Sequence, residues 1–202
     1  MLIPETEIFS RTNFYNINKA RNTVFTIADN QEKGERTMRI GMISDTHDNL
    51  PTIEKAIKKL NEENVELALH AGDYVSPFVI PKFRNLKAKL IGVFGNNDGD
   101  HDFLRKRFSE NRNLEIRGSF AEIVIDNLKI ALLHGSETEL LESLIESSSF
   151  NIVVHGHSHK AGVQRKGAML VINPGEVCGY LSGKSTIALF DSSKCEARIV
   201  EL

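Results

Sequence analysis

Side chains that can bind a metal ion follow the apolar strands predicted along this chain. In five loops, aspartate, asparagine or histidine residues follow closely after an apolar run. Because open α/β sheets gather functional groups in the loops after their strands, we expect these side chains to meet at one edge of a sheet. They are Asp45 with His47, Asp73, Asn96, His134, and His157 with His159.

Two of these groups have a spacing that favours metal binding. In Asp45-Thr46-His47 and in His157-Ser158-His159, one residue separates the two candidate ligands. Alternate residues of an extended backbone point to the same side, so each pair can converge on one ion. Taken singly, each residue has an ordinary alternative, since Asp73 could cap a helix and His134 could simply end a strand. The coincidence of all five positions favours a metal site.

The candidate ligands offer imidazole nitrogen, carboxylate oxygen and one amide oxygen. This mixture suits divalent Mn, Fe, Co, Ni or Zn better than Ca or Mg, and manganese is the first choice. Cys178 and Cys195 form no CxxC pair and are interpreted as packing residues, so no thiolate ligand is expected. The chain also lacks the glycine-rich loop of P-loop NTPases and the GxSxG elbow of serine hydrolases, which excludes both classes.

The elements that must position these residues begin with alternating strands and helices. From residue 38 onward the order is β-α-β-α-β-α, and the first helix shows an amphipathic face after Pro51. The three strands are expected at 38–44, 65–70 and 89–94, and the helices after Pro51, from about Pro77, and over 102–110.

The second half of the chain is rich in strands. Residues 120–125 and 129–133 predict a hairpin, and Ser136 with Glu139 three residues later predicts a capping box for a helix. Mixed parallel and antiparallel pairing, with helices outside, is therefore expected. A strand at 150–154 follows the helix, and antiparallel strands are expected at 162–166, 169–172, 185–190 and 197–200.

The five loops, in their order along the chain, resemble the signatures of a known superfamily. The resemblance implies an α/β (α+β) fold, a four-layer α-β-β-α sandwich of two mixed β-sheets flanked by helices. Size and spacing are most similar to the small, single-domain bacterial and archaeal phosphodiesterases. The superfamily is that of the calcineurin-like metallophosphoesterases, whose five motifs are matched by Asp45-Thr46-His47, Gly72-Asp73, Gly95-Asn96-Asn97-Asp98, His134-Gly135 and Gly156-His157-Ser158-His159.

The resemblance also implies a site with two divalent metal ions. Such a pair lowers the pKa of a bridging water, and the resulting hydroxide would attack the phosphate in line without any protein nucleophile. The implied ligands, which are also the predicted catalytic residues, are Asp45, His47 and His159 for one ion, Asn96, His134 and His157 for the other, and Asp73 as the bridge.

Asn97 departs from the pattern of the superfamily. Many members carry histidine at this position, where it contacts phosphate and can protonate the leaving group. An amide can hydrogen-bond to phosphate but supplies no proton at neutral pH, so Asn97 predicts a preference for diesters with stable leaving groups. His101 and Asn49 are further candidates for substrate contacts, with turn formation as the alternative for Asn49.

The predicted function is a metal-dependent phosphodiesterase acting on a small diester. Two alternatives stay open: a phosphomonoesterase or nucleotidase using the same site, and a protein-binding scaffold of the same fold, which is disfavoured because no ligand position is lost. The net charge of −2 provides no basic footprint for nucleic acid. Exposed strands such as 197–200 leave self-association open.

Residues 1–37 differ in character from the predicted domain, residues 38–202. They lack periodicity and are rich in polar residues, so we expect either an extension with little stable structure or a true start at Met38. No apolar run approaches the roughly 20 residues of a membrane span, and no basic leader precedes an apolar segment. The sequence therefore predicts a soluble cytoplasmic protein.

Overall fold

Eleven strands and four α-helices make up the part of the chain that the computed structural model describes, residues 37–125 and 127–202. Residues 1–36 of the predicted extension lie outside the described residues. The helices are α1 (Leu50–Glu62), α2 (Ile80–Phe83), α3 (His101–Ser109) and α4 (Thr138–Ser147). The strands are β1 (Arg39–Ile43), β2 (Leu67–His70), β3 (Lys89–Gly92), β4 (Leu114–Ile116), β5 (Phe120–Ile125), β6 (Leu128–Leu133), β7 (Ile152–Val154), β8 (Gly162–Lys166), β9 (Met169–Asn173), β10 (Thr186–Asp191) and β11 (Glu196–Glu201).

Six strands form the first sheet, in the order β11-β10-β1-β2-β3-β4. The strands β1 to β4 run parallel, with Ile40 of β1 opposite Leu67 of β2. The strand β10 pairs antiparallel with β1, and β11 lies at the edge beside β10. Because β1, β2 and β3 are parallel, the loops that follow them emerge at the same edge.

Five strands form the second sheet, in the order β5-β6-β7-β9-β8. The predicted hairpin is β5 and β6, with Ile123 opposite Ile130. The strand β7 is parallel to both of its neighbours, whereas β8 is antiparallel to β9. The antiparallel prediction for β9 therefore holds on one side only, because its other partner is the parallel strand β7.

Apolar layers hold these elements together. Between the sheets, Met42 and Leu69 belong to the same buried cluster as Leu132 and Ile172 of the second sheet. A second cluster joins α1, α2 and α3 to the outer face of the first sheet. The helix α4 covers the second sheet and packs Leu141 against it. The predicted four-layer sandwich of two mixed sheets between helices is confirmed.

The helices begin in different ways. Asn49 caps α1, since its Oδ1 accepts the N–H of Thr52 at 3.4 Å, and Pro51 occupies the first turn. The capping box predicted at Ser136 is wrong: Glu137 holds the cap position without a capping hydrogen bond, so Ser136 lies one residue too early.

Among the described residues, no helix combines the length and the apolar character needed to cross a membrane.

Two other elements differ from what the sequence predicts. The helix expected from about Pro77 is a short 3-10 turn, Pro77–Val79, followed by the four residues of α2. Pro81 is tolerated there because it lies in the first turn of α2, where a backbone N–H has no partner within the helix. The short strand β4 was not predicted at all, since three residues are too few to show a periodic pattern.

Burial of Leu60 in α1 leads to a prediction about stability. Leu60 is completely buried against the first sheet, so Leu60→Ala should lower the free energy of unfolding by about 2–5 kcal/mol. The control is Lys55→Ala on the exposed face of α1, which should change it by less than about 0.5 kcal/mol. Urea denaturation followed by circular dichroism measures both, and equal effects would contradict the role given to Leu60.

Candidate metal centre

Loops from both sheets meet at one edge of the sandwich. The loop after β6 reaches the first sheet, because Nδ1 of His134 donates to the carbonyl of Ala71 at 2.8 Å. The loop after β7 also reaches it, because the backbone N–H of His157 donates to Oδ2 of Asp45 at 3.2 Å. A side chain at Gly156 would collide with Ser44, so glycine is required where the loop after β7 passes the end of β1. The predicted site residues of both sheets are therefore neighbours.

Two buried carboxylates and three imidazoles form a continuous row at this edge. Nε2 of His159 lies 3.4 Å from Oδ1 of Asp45, and Nε2 of His47 lies 3.8 Å from the same oxygen. Nε2 of His47 also lies 3.4 Å from Oδ2 of Asp73. At the far end, Nε2 of His134 approaches that Asp73 oxygen, again at 3.4 Å. The row is thus His159, Asp45, His47, Asp73, His134.

The two remaining candidate ligands lie beside His134 and Asp73. The ring of His157 packs edge-on against that of His134, with 5.1 Å between centroids. Asn96 is exposed, between Gly95 and Asn97, and Asn97 donates to Asp73. In the described residues the side chain of Asn96 makes no hydrogen bond to this cluster. The structure therefore brings six of the seven predicted ligands into contact and leaves Asn96 next to them.

Polar atoms inside this cluster lack partners. Within residues 37–125 and 127–202, three of its buried atoms make no hydrogen bond: Oδ1 of Asp45, Nε2 of His47 and Nε2 of His134. Each such atom costs about 1–3 kcal/mol when left unpaired. Ligand atoms of Asp45, His47 and Asp73 all lie within 4.8 Å of one another, a spacing that divalent ions can fill. The residues present therefore fit a metal site.

The carboxylates shift the pKa values of the histidines beside them. The carboxylate of Asp45, beside the imidazole, raises the pKa of His47 above its usual value, in spite of partial burial. Burial alone would lower the pKa of His134, but the Asp73 carboxylate outweighs it and raises the pKa. Burial would likewise raise the pKa of Asp73, yet the neighbouring imidazole of His134 and the hydrogen bonds from Asn97 hold it well below its usual range. The cluster as a whole attracts positive charge.

Left-handed backbone conformations concentrate at the predicted ligands. Five of them have positive φ angles although none is glycine: 52° at Asp45, 39° at His47, 61° at Asp73, 65° at His157 and 58° at His159. Each such residue costs of the order of 1–3 kcal/mol, and such strain collects at functional sites. The rest of the fold must therefore hold these side chains in place.

Comparison with known proteins identifies the family. The family model of the calcineurin-like phosphoesterase superfamily domain matches residues 38–194. This chain belongs to the calcineurin-like phosphoesterase superfamily. It is accordingly a metal-dependent phosphoesterase, as the resemblance of its five motifs predicted.

Similar proteins in this superfamily come from several organisms. A phosphodiesterase of Methanocaldococcus jannaschii is 44% identical over 165 residues, which cover 82% of this chain and 99% of the relative. A solved structure of an archaeal phosphodiesterase, also 44% identical, superimposes with a TM-score of 0.78 over 82% of this chain and 100% of that one. Vacuolar protein sorting 29 from Cryptosporidium parvum is 20% identical, with a TM-score of 0.60 over 82% of this chain and 98% of that one. The last likeness shows the fold alone.

Asp98 is a residue of this calcineurin-like phosphoesterase whose role sequence reasoning missed. Its buried carboxylate accepts the backbone N–H groups of Asp73 at 3.1 Å and Tyr74 at 2.6 Å. It also accepts those of Val75 at 2.8 Å and Gly95 at 2.7 Å. Asp98 therefore fastens the loop after β2 to the loop after β3. The signal available in the sequence was its place within the Gly95-Asn96-Asn97-Asp98 motif.

Glu176 is a second residue that sequence reasoning missed. Its buried carboxylate accepts a hydrogen bond from Nδ1 of His159 at 2.8 Å and another from Sγ of Cys178 at 3.0 Å. Cys178 also lies with His47 and His159 in a group whose ligand atoms are within 4.8 Å of one another. The interpretation of Cys178 as a packing residue is therefore incomplete, since its thiol borders the centre. Burial raises the pKa of this thiol to about 12.

The three predicted substrate contacts lie in different surroundings. Asn97 donates to Asp73 twice, from its backbone N–H at 2.9 Å and from Nδ2 at 2.7 Å. Asn49 donates to the carbonyl of Cys178 at 2.9 Å besides capping α1, which is the turn role considered as its alternative. His101 begins α3 and stacks on Phe94, with 3.9 Å between ring centroids. Of the three, Asn97 directly contacts the row of carboxylates and imidazoles.

The contacts of Asp98 lead to a second prediction. In Asp98→Asn an NH₂ group must face backbone donors, so we expect the free energy of unfolding to fall by about 2–4 kcal/mol. The matched control is Asp100→Asn, because Asp100 caps α3 through Phe103 and asparagine caps equally well. Thermal and chemical denaturation of both variants measure the difference. Similar stability of the two variants would show that Asp98 does not fasten the loops.

Proposed function

We propose that this chain is a phosphodiesterase whose site holds two divalent metal ions, manganese foremost, and whose substrate is a small phosphodiester. The observation that carries the proposal is the set of unpartnered buried atoms on Asp45, His47 and His134, arranged around two carboxylates. The relative at 44% identity is named a phosphodiesterase, and this chain matches nearly its whole length. That name supports the diester as substrate class.

The histidine tautomers support the assignment of Nε2 as the ligand atom. Nδ1 of His134 must carry a proton, because its partner is the carbonyl of Ala71. Nδ1 of His159 donates in the same way to the carboxylate of Glu176. When either ring is neutral, the lone pair of its Nε2 is therefore left facing a site carboxylate, where a cation can be bound.

The proposed ligand sets follow the row of contacts. Asp73 lies between His47 and His134 and is the proposed bridge. When bound, the two ions supply Lewis acidity and lower the pKa of water, so that hydroxide is available near neutral pH for in-line attack on phosphorus. The proposed ligands are Asp45, His47 and His159 for one ion, Asn96, His134 and His157 for the other, and Asp73 for both.

Asn97 is the proposed substrate contact next to these ligands. One N–H of its amide is directed at Asp73, and the second N–H is left to bind a phosphate oxygen. The amide supplies no proton to a departing alkoxide, so the chemistry favours diesters whose leaving groups are stable as anions. No observation on the described residues favours a phosphomonoesterase or a binding scaffold over this activity.

We further propose that residues 38–202 form one catalytic domain and that the protein works in the cytoplasm. The family model covers residues 38–194, and the pairing of β11 with β10 extends the first sheet to Glu201. Cys178 and Cys195 are free thiols, which suits a reducing compartment.

The proposed centre is tested by removing His134. In the wild type, manganese added to chelator-treated protein at about 100 times Kd should raise Tm by about 5–10 °C. His134→Ala should lose much of this rise, and its kcat/KM for bis(p-nitrophenyl) phosphate should fall by about 100-fold or more, because several kcal/mol of ion-dependent stabilisation disappear. Lys166→Ala, at an exposed position of β8, is the control. A metal-independent activity, or a variant as active as the wild type, would refute the proposal.

The role of Asn97 is tested by comparing ester classes. With manganese present, bis(p-nitrophenyl) phosphate should be hydrolysed at least about tenfold faster than glycerol phosphate, whose alkoxide leaving group requires protonation. Asn97→His should narrow this ratio by raising the rate for glycerol phosphate. Initial rates at several substrate concentrations give kcat/KM for each pair. Equal rates for the two esters in the wild type would show that the residue at position 97 does not set the preference.

A further inference from the structure

A single carboxylate joins the candidate metal centre to a neighbouring loop. Glu176 lies after β9 and is fully buried. One of its oxygens, Oε2, accepts Nδ1–H of His159 at 2.8 Å and the thiol of Cys178 at 3.0 Å. Sequence reasoning assigned no role to this residue, and no part of the hydrolytic step described above uses it.

The same carboxylate accepts hydrogen bonds from three consecutive backbone N–H groups. Oε2 accepts from Tyr180 at 2.9 Å and from Leu181 at 3.1 Å, and Oε1 accepts from Leu181 at 3.0 Å and from Ser182. These bonds fold residues 179–183 around the carboxylate. We call this segment the 179–183 loop. Its conformation depends on Glu176, because hydrogen bonds to a buried charged group are among the strongest in a protein.

The 179–183 loop begins beside the metal centre. The backbone N–H of Cys178, just before the loop, donates to the carbonyl of Asp45 at 3.1 Å. The carbonyl of Cys178 accepts Nδ2 of Asn49 at 2.9 Å. Two apolar side chains at the tip of the loop are exposed, Tyr180 at 63% and Leu181 at 75%. The loop thus presents an apolar surface close to the candidate ligands.

We propose that Glu176 is a positioning residue that couples metal binding at His159 to the conformation of the 179–183 loop. A cation held by Nε2 of His159 fixes the ring, and the ring fixes the carboxylate through Nδ1–H. The carboxylate in turn fixes the amides of Tyr180 and Leu181, which share its Oε2 with the ring. This inference rests on the proposed function, because it requires an ion at His159.

The coupling works in both directions. If binding of the ion shifts the loop toward its ordered conformation by some factor, the ordered loop must increase the affinity for the ion by the same factor. Tyr180 and Leu181 would then be held beside the centre more firmly when the metal is bound. A substrate with an apolar ester group would meet a better ordered surface in the metal-loaded enzyme.

Hydrogen–deuterium exchange of the wild-type protein tests the coupling without any substitution. Chelator-treated protein is compared with protein saturated with manganese, and the amides of Tyr180, Leu181 and Ser182 should exchange about tenfold more slowly with metal. The internal control is the turn in which Asp191 accepts the N–H groups of Ser193 at 3.0 Å and Lys194 at 3.4 Å, where exchange should not change.

The outcomes of this experiment separate the two proposals. If manganese raises Tm but exchange in the 179–183 loop is unchanged, the coupling is refuted and the phosphodiesterase proposal stands. If manganese does not bind, so that Tm is also unchanged, both are refuted. Slower exchange at the loop amides and the Asp191 turn to the same extent would show a global effect and would also overturn the coupling.

A pair of matched variants gives the second test. Glu176→Gln should weaken binding of one of the two manganese ions by about 10–100-fold in calorimetric titration and should abolish the response of the loop amides. Asp191→Asn alters a carboxylate that also holds a turn but contacts no candidate ligand, and it should leave both ions unaffected. Most of the activity lost in Glu176→Gln should return at saturating manganese, since the ligands themselves are intact. Wild-type affinity for both ions in Glu176→Gln would overturn the proposal.

Discussion

The buried negative charge of Asp45 and Asp73 is the constraint on which the rest of this site depends. Both carboxylates are almost completely shielded from water, and their ion-pair contacts in the described part of the chain are with histidines. An uncompensated charge in such a place is very costly. Neutral imidazoles provide lone pairs rather than compensation, so the arrangement is favourable when cations occupy it. The fold must supply the stability that keeps the cluster assembled until they do.

That stability comes from the two sheets and from the way their loops are fastened. The apolar cluster between the sheets fixes where the strands end, and parallel pairing of β1, β2 and β3 fixes which loops are neighbours. The left-handed residues at the strand ends then turn their side chains toward one another at a cost in backbone strain. Asp98 offsets part of this cost by binding four backbone N–H groups of the strained loops. Packing of the apolar core and the hydrogen bonds of Asp98 therefore maintain the strained backbone at the edge of the sheets.

Much of the fold and of the candidate site could be predicted from the sequence, for reasons that particular residues make clear. The amphipathic face of α1, from Ile53 to Leu60, and the hairpin of β5 and β6 have strong periodic patterns, and both are present. The predicted ligands that the structure brings together could be selected because they follow closely after apolar runs. Glu176 could not be found in this way. Its partners include His159, seventeen residues earlier, and amides of a loop without a pattern. The predicted cap of α4 was wrong because the helix begins one residue later than expected, and Ser136 is then not at the cap position.

The hydrogen-bond donors around Asp98 and Glu176 distinguish these structural carboxylates from Asp45 of the candidate metal centre. Asp98 and Glu176 have both oxygens occupied by N–H groups, whereas Oδ1 of Asp45 has no hydrogen-bond partner among the described residues. The same chemical group thus fastens a loop in one place and is left open for a cation in another. The two roles are also coupled electrostatically. Burial raises the pKa of Asp98, and the charge of Asp73 raises it further in spite of the N–H bonds. Positive charge bound at Asp73 would oppose this rise in the pKa of Asp98.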